Sequence, residues 1–177
     1  MSKYIPCVQK PCCCSAACVK IALKRRGIEV EELHVAKALG TRITSEVCNE
    51  CEGLPVNDSD PGLNLEEFES KSSQEFLAKY GLKVKIYYSS KINDLLIFLT
   101  ENYSNDLIVN IHHKPFKNGK SWGHYVLVDS VEENKVTFCD PAQDAPKHWT
   151  ADVDTLKEAL SDKNDGKERG IAVISKV

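Results

Sequence analysis

Three consecutive cysteines, Cys12, Cys13 and Cys14, open the strongest helical pattern in the chain. From Cys13 to Arg26 the sequence CCSAACVKIALKRR places apolar residues at Cys14, Ala17, Cys18, Ile21 and Ala22, the i, i+3, i+4, i+7 spacing of a helix with one buried face. Lys24, Arg25 and Arg26 fall in its last turn, where the helix dipole favours cations, and Gly27 suits the cap beyond. A thiol at the opposite end meets unpaired N–H groups and the positive end of the dipole. Both favour the thiolate over the thiol.

Five of the eight cysteines, Cys7, Cys12, Cys13, Cys14 and Cys18, lie within twelve positions. A chain of 177 residues can bury roughly 70% of its unfolded surface without crosslinks, so these thiols are not required as staples. An apolar fraction of 42% with 28% charged residues is that of a soluble globular chain and excludes the disordered, fibrous and disulfide-miniprotein classes. The net charge of -3, from 23 basic and 26 acidic residues, provides no electrostatic footprint for nucleic acid or an anionic membrane. Met1 to Pro6 runs into Cys7 without the apolar stretch of a signal peptide, and no window approaches the ~18 apolar residues of a membrane span. The expectation is a cytoplasmic chain with reduced thiols. There, clustered cysteines point to catalysis or metal binding rather than to disulfides.

Along the chain a second helix is expected over Val30 to Leu39, ended by Gly40, and then a polar, turn-rich loop at about 41–63. Asn64 is placed to cap a third helix running to Tyr80. Leu82 to Tyr88 reads as a strand, Lys91 to Asn102 as a helix and Asp106 to Ile111 as a buried strand. Tyr125 to Val131 and Lys135 to Cys139 form a hairpin across Glu132, Glu133 and Asn134. A helix over Asp152 to Leu160 and a charged connection lead to a last strand, Gly170 to Ser175. This order predicts one α+β domain over 1–177, with helices in the N-terminal half and an antiparallel sheet in the C-terminal half.

A helix-start thiolate needs a base, and His124, just before the first hairpin strand, is the candidate, with Gly123 leaving the approach to its ring open. With Glu132 and Glu133 as the turn centre, opposed residues sum to about 264 or 265. His124 then faces Asp140 or Pro141. Asp140 is thereby expected to accept the Nδ1–H of His124 and fix its tautomer. Gln9, five residues before Cys14, carries a side-chain amide able to hold an oxyanion together with the backbone N–H of the nucleophile.

The segment from Gln9 through Cys14-Ser15-Ala16-Ala17-Cys18-Val19-Lys20-Ile21-Ala22-Leu23, with Gly123-His124-Tyr125-Val126-Leu127-Val128 and Asp140-Pro141 downstream, resembles the bacteriocin-processing, double-glycine leader peptidases of the papain-like superfamily. GLNLEEFESKSSQEFLAKYGLKV extends the likeness through the middle of the chain. The resemblance implies a papain-like cysteine peptidase fold and a peptide or protein substrate. It implies Cys14 as nucleophile, His124 as general base, Asp140 as its orienting residue and Gln9 as the oxyanion residue. Cys12 and Cys13 are rival nucleophiles by proximity; only the Cys14 register places Ala17, Val19 and Leu23 on the family's apolar positions. Ser15 stands where the family usually has Gly, and the Gln-to-Cys spacing is five where six is common.

The remaining residues read more plainly. Cys18 and Cys139 are expected in the core, and His112 and His113 at a strand's end, with at least one facing solvent and neither in the catalytic set. His34 belongs on a surface helix and His148 in a loop beside Trp149. Cys48-Asn49-Glu50-Cys51 is half of a zinc site, which Cys7 with Cys12 or Cys13 would complete; the family pattern does not predict such a site, and no other cofactor is expected. A thiol-dependent acyl or γ-glutamyl transferase of the same superfamily, and a non-catalytic peptide- or zinc-binding module, are the alternatives to a peptidase.

Overall fold

The computed structural model describes residues 2–113, 115–116, 123–143, 146–161 and 166–177. Its centre is a six-stranded antiparallel sheet made of β1 (Leu82–Tyr88), β2 (Asp106–His112), β3 (Gly123–Glu132), β4 (Lys135–Asp140), β5 (Lys147–Asp152) and β6 (Gly170–Lys176), in the order β1-β6-β2-β3-β4-β5. Side chains alternate across a pleated strand, so Ile108, Tyr125, Leu127, Cys139, Ala172 and Ile174 share a core with the N-terminal helices. Leu107, Val109, Ile111, Val126, Phe138 and Ile171 build a second core on the other face. Both faces are covered, which is why β2 is buried along its whole length instead of alternating. The charged connection expected before β6 falls partly outside the described residues, at 162–165.

On the first face lie α1 (Cys14–Arg25), α2 (Glu32–Leu39) and α3 (Lys71–Ala78). α1 is more deeply buried than a one-sided stripe requires: Ser15, Ala16, Val19 and Leu23 are buried along with the expected Ala17, Cys18, Ile21 and Ala22. Small residues over its first two turns let α2 and the sheet close around it. The opposite end is clamped electrostatically. Arg25 and Arg26 each meet the buried carboxylate of Asp106 at the start of β2, at 2.7 and 2.6 Å, and the hydroxyl of the buried Tyr4 donates to the same carboxylate at 2.7 Å. The second face carries α4 (Leu95–Asn102) and α5 (Val153–Ser161).

Four local expectations are corrected. The single helix from Asn64 to Tyr80 is two pieces, a 3-10 turn at Leu65–Glu69 closed by a capping box between Asn64 and Glu67, and α3. Ser70 breaks them apart: its backbone is extended and its hydroxyl accepts from the Ser73 N–H, a local cap that competes with continuing the helix. The helix expected from Lys91 begins at Leu95, where Asp94 caps it by accepting from the Ile97 N–H. The segment around His148 is the strand β5, not a loop; it is an edge strand with mostly exposed side chains, and only Trp149 and Ala151 turn toward the core, too short an alternation to mark a strand in sequence. The hairpin turn is centred on Glu133 and Asn134, one residue later than expected, with Glu132 opposite Lys135 and Glu133 at φ 52°, the positive value that primed hairpin turns require.

The segment expected as the 41–63 loop is tied down by backbone pairing of Arg42 with Gly62 and of Ile43 with Val56. Arg42 also holds the Glu67 carboxylate through two hydrogen bonds, at 2.7 and 2.9 Å. At the junction of β1 and β6, Gly170 leaves no room for a side chain: a Cβ there would press on the Tyr87 carbonyl oxygen and lie 2.9 Å from Tyr88 Cα. Because both obstacles are backbone, Gly170→Ala is expected to lower the unfolding free energy by about 2 kcal/mol, read as a reduced midpoint in urea denaturation.

Candidate active site

Cys14 is the first residue of α1, and a turn immediately before it sets where that helix begins. The Cys13 N–H donates to the Lys10 carbonyl at 3.1 Å, Pro11 supplies the first central position and Cys12 the second, with φ 61°. That position favours glycine, so a cysteine there holds strain of about 1 kcal/mol. The chain ahead of the turn is pinned on both sides. The Gln9 N–H donates to the Pro141 carbonyl at 2.9 Å, and the Lys10 N–H donates to the buried Glu32 carboxylate at 2.6 Å. Gln9 is thereby fixed beside the residue that follows Asp140. Its Oε1 is buried without a hydrogen-bond partner among the described residues.

His124 lies at the start of β3, opposite Ile111 of β2, and is 7% exposed. Its Nε2 lies 2.7 Å from Asp140 Oδ1 at the end of β4, and the Cys14 thiol is within hydrogen-bonding reach of the same ring. The expected Nδ1 contact with Asp140 is therefore corrected to Nε2, and Nδ1 is the nitrogen left for the sulfur. The reason lies in the register. A bulge between Val128 and Ser130 and the later turn place Leu127 opposite Cys139, so Asp140 continues opposite Val126 and meets His124 as a diagonal neighbour. Reaching diagonally, the ring presents its far nitrogen to the carboxylate.

Asp140 is saturated with donors that sequence reading did not find. Its Oδ1 also accepts from the Ala142 N–H at 2.9 Å, and Oδ2 accepts from the Trp149 indole at 2.9 Å. Burial works against its charge, but these bonds and the neighbouring imidazole outweigh it, and the carboxyl sits below its ordinary value. Burial likewise opposes charge on His124. The hydrogen bonds to Asp140 and Cys14 and their negative charges more than offset it, raising the imidazole to about 10. Trp149 reaches Asp140 only because β5 pairs with β4, and nothing in its local sequence announces that role.

The open approach expected at Gly123 is filled. A Cβ there would collide with the guanidinium of buried Arg169, which donates to Asn110 Oδ1 at 2.8 Å. Among the neighbouring thiols, Cys13 and Cys18 are buried, and burial raises both. The half-buried Cys12 is raised by the same cause. Cys18 donates to the Tyr125 carbonyl at 3.4 Å, and Cys139 is a core residue pushed up to about 12 by burial. Cys14 is half-buried, and among these it is the thiol that meets a histidine.

The proposed zinc ligands are not gathered. Cys48 is exposed, Cys51 is buried against the Pro11 carbonyl and Cys13, and Cys7 lies among Lys20, Lys24 and Glu32. Among the described residues, the one group of three or more ligand-type side chains within reach of a single ion is His113, His124 and Asp140. His112 is buried and His113 half-exposed, as one solvent-facing member of that pair requires. His34 is exposed against Phe76, and the exposed His148 reaches Ser2 Oγ at 2.9 Å.

No family model matches the sequence, and no curated protein matches it. Solved structures do. The peptidase domain of Streptococcus ComA, a bi-functional ABC transporter involved in a quorum sensing pathway, superimposes with a TM-score of 0.60 at 14% identity over 98% of both chains. A double-glycine motif protease from an AMS/PCAT transporter, in complex with the leader peptide, gives 0.58 at 12% identity over 98% of this chain and 92% of the other. A C39-like peptidase from Bacillus anthracis gives 0.64 at 13% identity over 98% and 96%. The chain thus has the papain-like α+β fold of the double-glycine peptidase domains. No helix among the described residues is long and apolar enough to cross a membrane.

The charge on His124 links this site to folding. A histidine raised from 6.5 to about 10 contributes stability that is complete below pH 6.5 and lost as pH rises through about 10. Asp140, lowered from 3.8, contributes above that value and loses its contribution as pH falls through the lowered one. Asp140→Asn removes the bonded carboxylate charge. It is expected to bring the His124 titration down by more than one pH unit, measured by NMR of the ring protons.

Proposed function

We propose that this chain is a cysteine peptidase in which Cys14, His124 and Asp140 act as a nucleophile, a base and its orienting residue. The reading rests on one observation above all: a buried imidazole beside the helix-start thiol is held by the Asp140 carboxylate through Nε2. The Cys14 sulfur attacks a peptide carbonyl carbon, and the developing oxyanion takes the Cys14 backbone N–H and the Gln9 side-chain amide. His124, charged by the thiol's proton, gives a proton to the leaving amine. Water then attacks the thioester with neutral His124 as base, which releases the acid and restores the thiol.

The same fold supports a peptide substrate. One structural neighbour is a double-glycine motif protease solved with its leader peptide, and an extended peptide segment is the substrate proposed here. The Gln9 backbone, pinned between Pro141 and the segment facing Glu32, keeps the oxyanion side of the site rigid.

Peptide hydrolysis followed by mass spectrometry, with and without an added amine acceptor, tests the reading and separates hydrolysis from acyl transfer. Cys14→Ala is expected to lose at least about 10³-fold in kcat/KM, and retention of full activity would overturn the assignment. Gln9→Ala is expected to lower kcat by about 10²-fold with little change in KM, since its amide acts only as charge develops.

A further inference from the structure

His113 has no part in the peptidase chemistry, yet it stands over the catalytic imidazole. Its ring centroid is 5.0 Å from that of His124, with the planes inclined by 35°. One ligand atom from each of His113, His124 and Asp140 lies within 4.8 Å of the others. We infer that these three side chains form a site for a zinc-type divalent cation, and that the cation holds the peptidase in an inactive state; the inhibitory half of this inference rests on the function proposed above.

The donor chemistry fits. Two imidazoles and one carboxylate are the ligand set of open zinc sites, with bonds of about 2.0–2.2 Å and therefore donor atoms about 3.4 Å apart in tetrahedral geometry. Nε2 of His124 and Oδ1 of Asp140 are 2.7 Å apart, so accepting an ion requires them to part by less than ~1 Å. His113 is half-exposed and immediately follows His112, the last residue of β2, with its ligand atom within 4.8 Å of the other two. Asp140 has two further donors: Trp149 holds Oδ2, and the Ala142 N–H donates to Oδ1. Such outer bonds are what orient a ligating carboxylate.

Binding replaces the proton between Nε2 and Oδ1 by the metal, and that proton leaves to water. The consequence is inhibition. With the ion on Nε2, His124 no longer has Asp140 as its hydrogen-bond partner and cannot carry the charge from which the leaving amine is protonated. His113 supplies the third ligand that a His–Asp pair lacks, so it governs cation affinity without entering the bond-breaking steps.

The test needs a readout that eight thiols cannot imitate. In the full-length Cys14→Ala protein, which lacks the thiol beside His124, substoichiometric Co²⁺ is expected to broaden the ring-proton NMR signals of His113 and His124 while leaving those of His34 and His148 sharp. Broadening confined to the latter pair, or none at all, would overturn the site even if the chain proves not to be a peptidase. In parallel, Zn²⁺ is expected to inhibit peptide hydrolysis reversibly, with chelator restoring activity. His113→Ala and His113→Gln should each keep hydrolysis within about twofold of wild type and raise the inhibitory zinc concentration at least tenfold. An unchanged zinc response in both variants would place inhibition on the thiols and overturn the inhibitory role. Absence of hydrolysis in the metal-free wild type would count against the peptidase reading alone and leave the cobalt result to decide the site.

Discussion

The burial of α1 against the sheet is the constraint on which the rest of the structure depends. A helix of this length spans about 18 Å, so fixing one end fixes the other. Arg25 and Arg26 are held by the buried Asp106 at the far end, Ser15 to Leu23 are packed between α2 and the sheet, and the only place left for Cys14 is the rim where β3 begins and β4 ends. A buried carboxylate facing two guanidiniums is costly to break by removing one partner, because the remaining charge stays desolvated. That asymmetry holds the helix in one axial position.

Around that rim the groups of the proposed triad are distinct from those that hold them. Asp140 carries three hydrogen bonds from three separate stretches of chain: β3 through His124, the segment after β4 through Ala142, and β5 through Trp149. Four acceptor sites on a carboxylate permit this, and each added donor favours the ionised form that keeps His124 charged. Arg169 and Glu32 act one step further out, the first behind Gly123 and the second under Lys10. Strain at Cys12 belongs to the same design, since the turn that delivers Cys14 to the helix start requires a backbone that cysteine seldom adopts.

Much of this was legible from sequence because its signals are local. The apolar spacing from Cys14 to Ala22, Gly40 after α2 and the β-rich runs of β3 and β4 on either side of a short polar turn all mark elements found close to where they were expected. What escaped was nonlocal or conditional. β5 exists because β4 offers it an edge, not because KHWTAD prefers a strand, and with it went the indole on Asp140. Ser70 split a helix by offering its backbone a competing bond. The cysteines read as a metal site do not converge: Cys51 is buried beside Cys13 while Cys48, three residues earlier, is exposed.

The sequence by itself determined that a helix would begin among three thiols and that a histidine and an aspartate would lie at neighbouring ends of a hairpin, since periodicity and turn spacing are properties of a few contiguous residues. Only the tertiary structure decided which nitrogen of His124 meets Asp140, and that the His113 ring lies tilted against that of His124. A bulge at Val128 and Ser130 and the pairing of β2 with β3 set those relations. Such contacts depend on register between strands, and a shift of one residue, invisible in the composition of either strand, exchanges one neighbour for another.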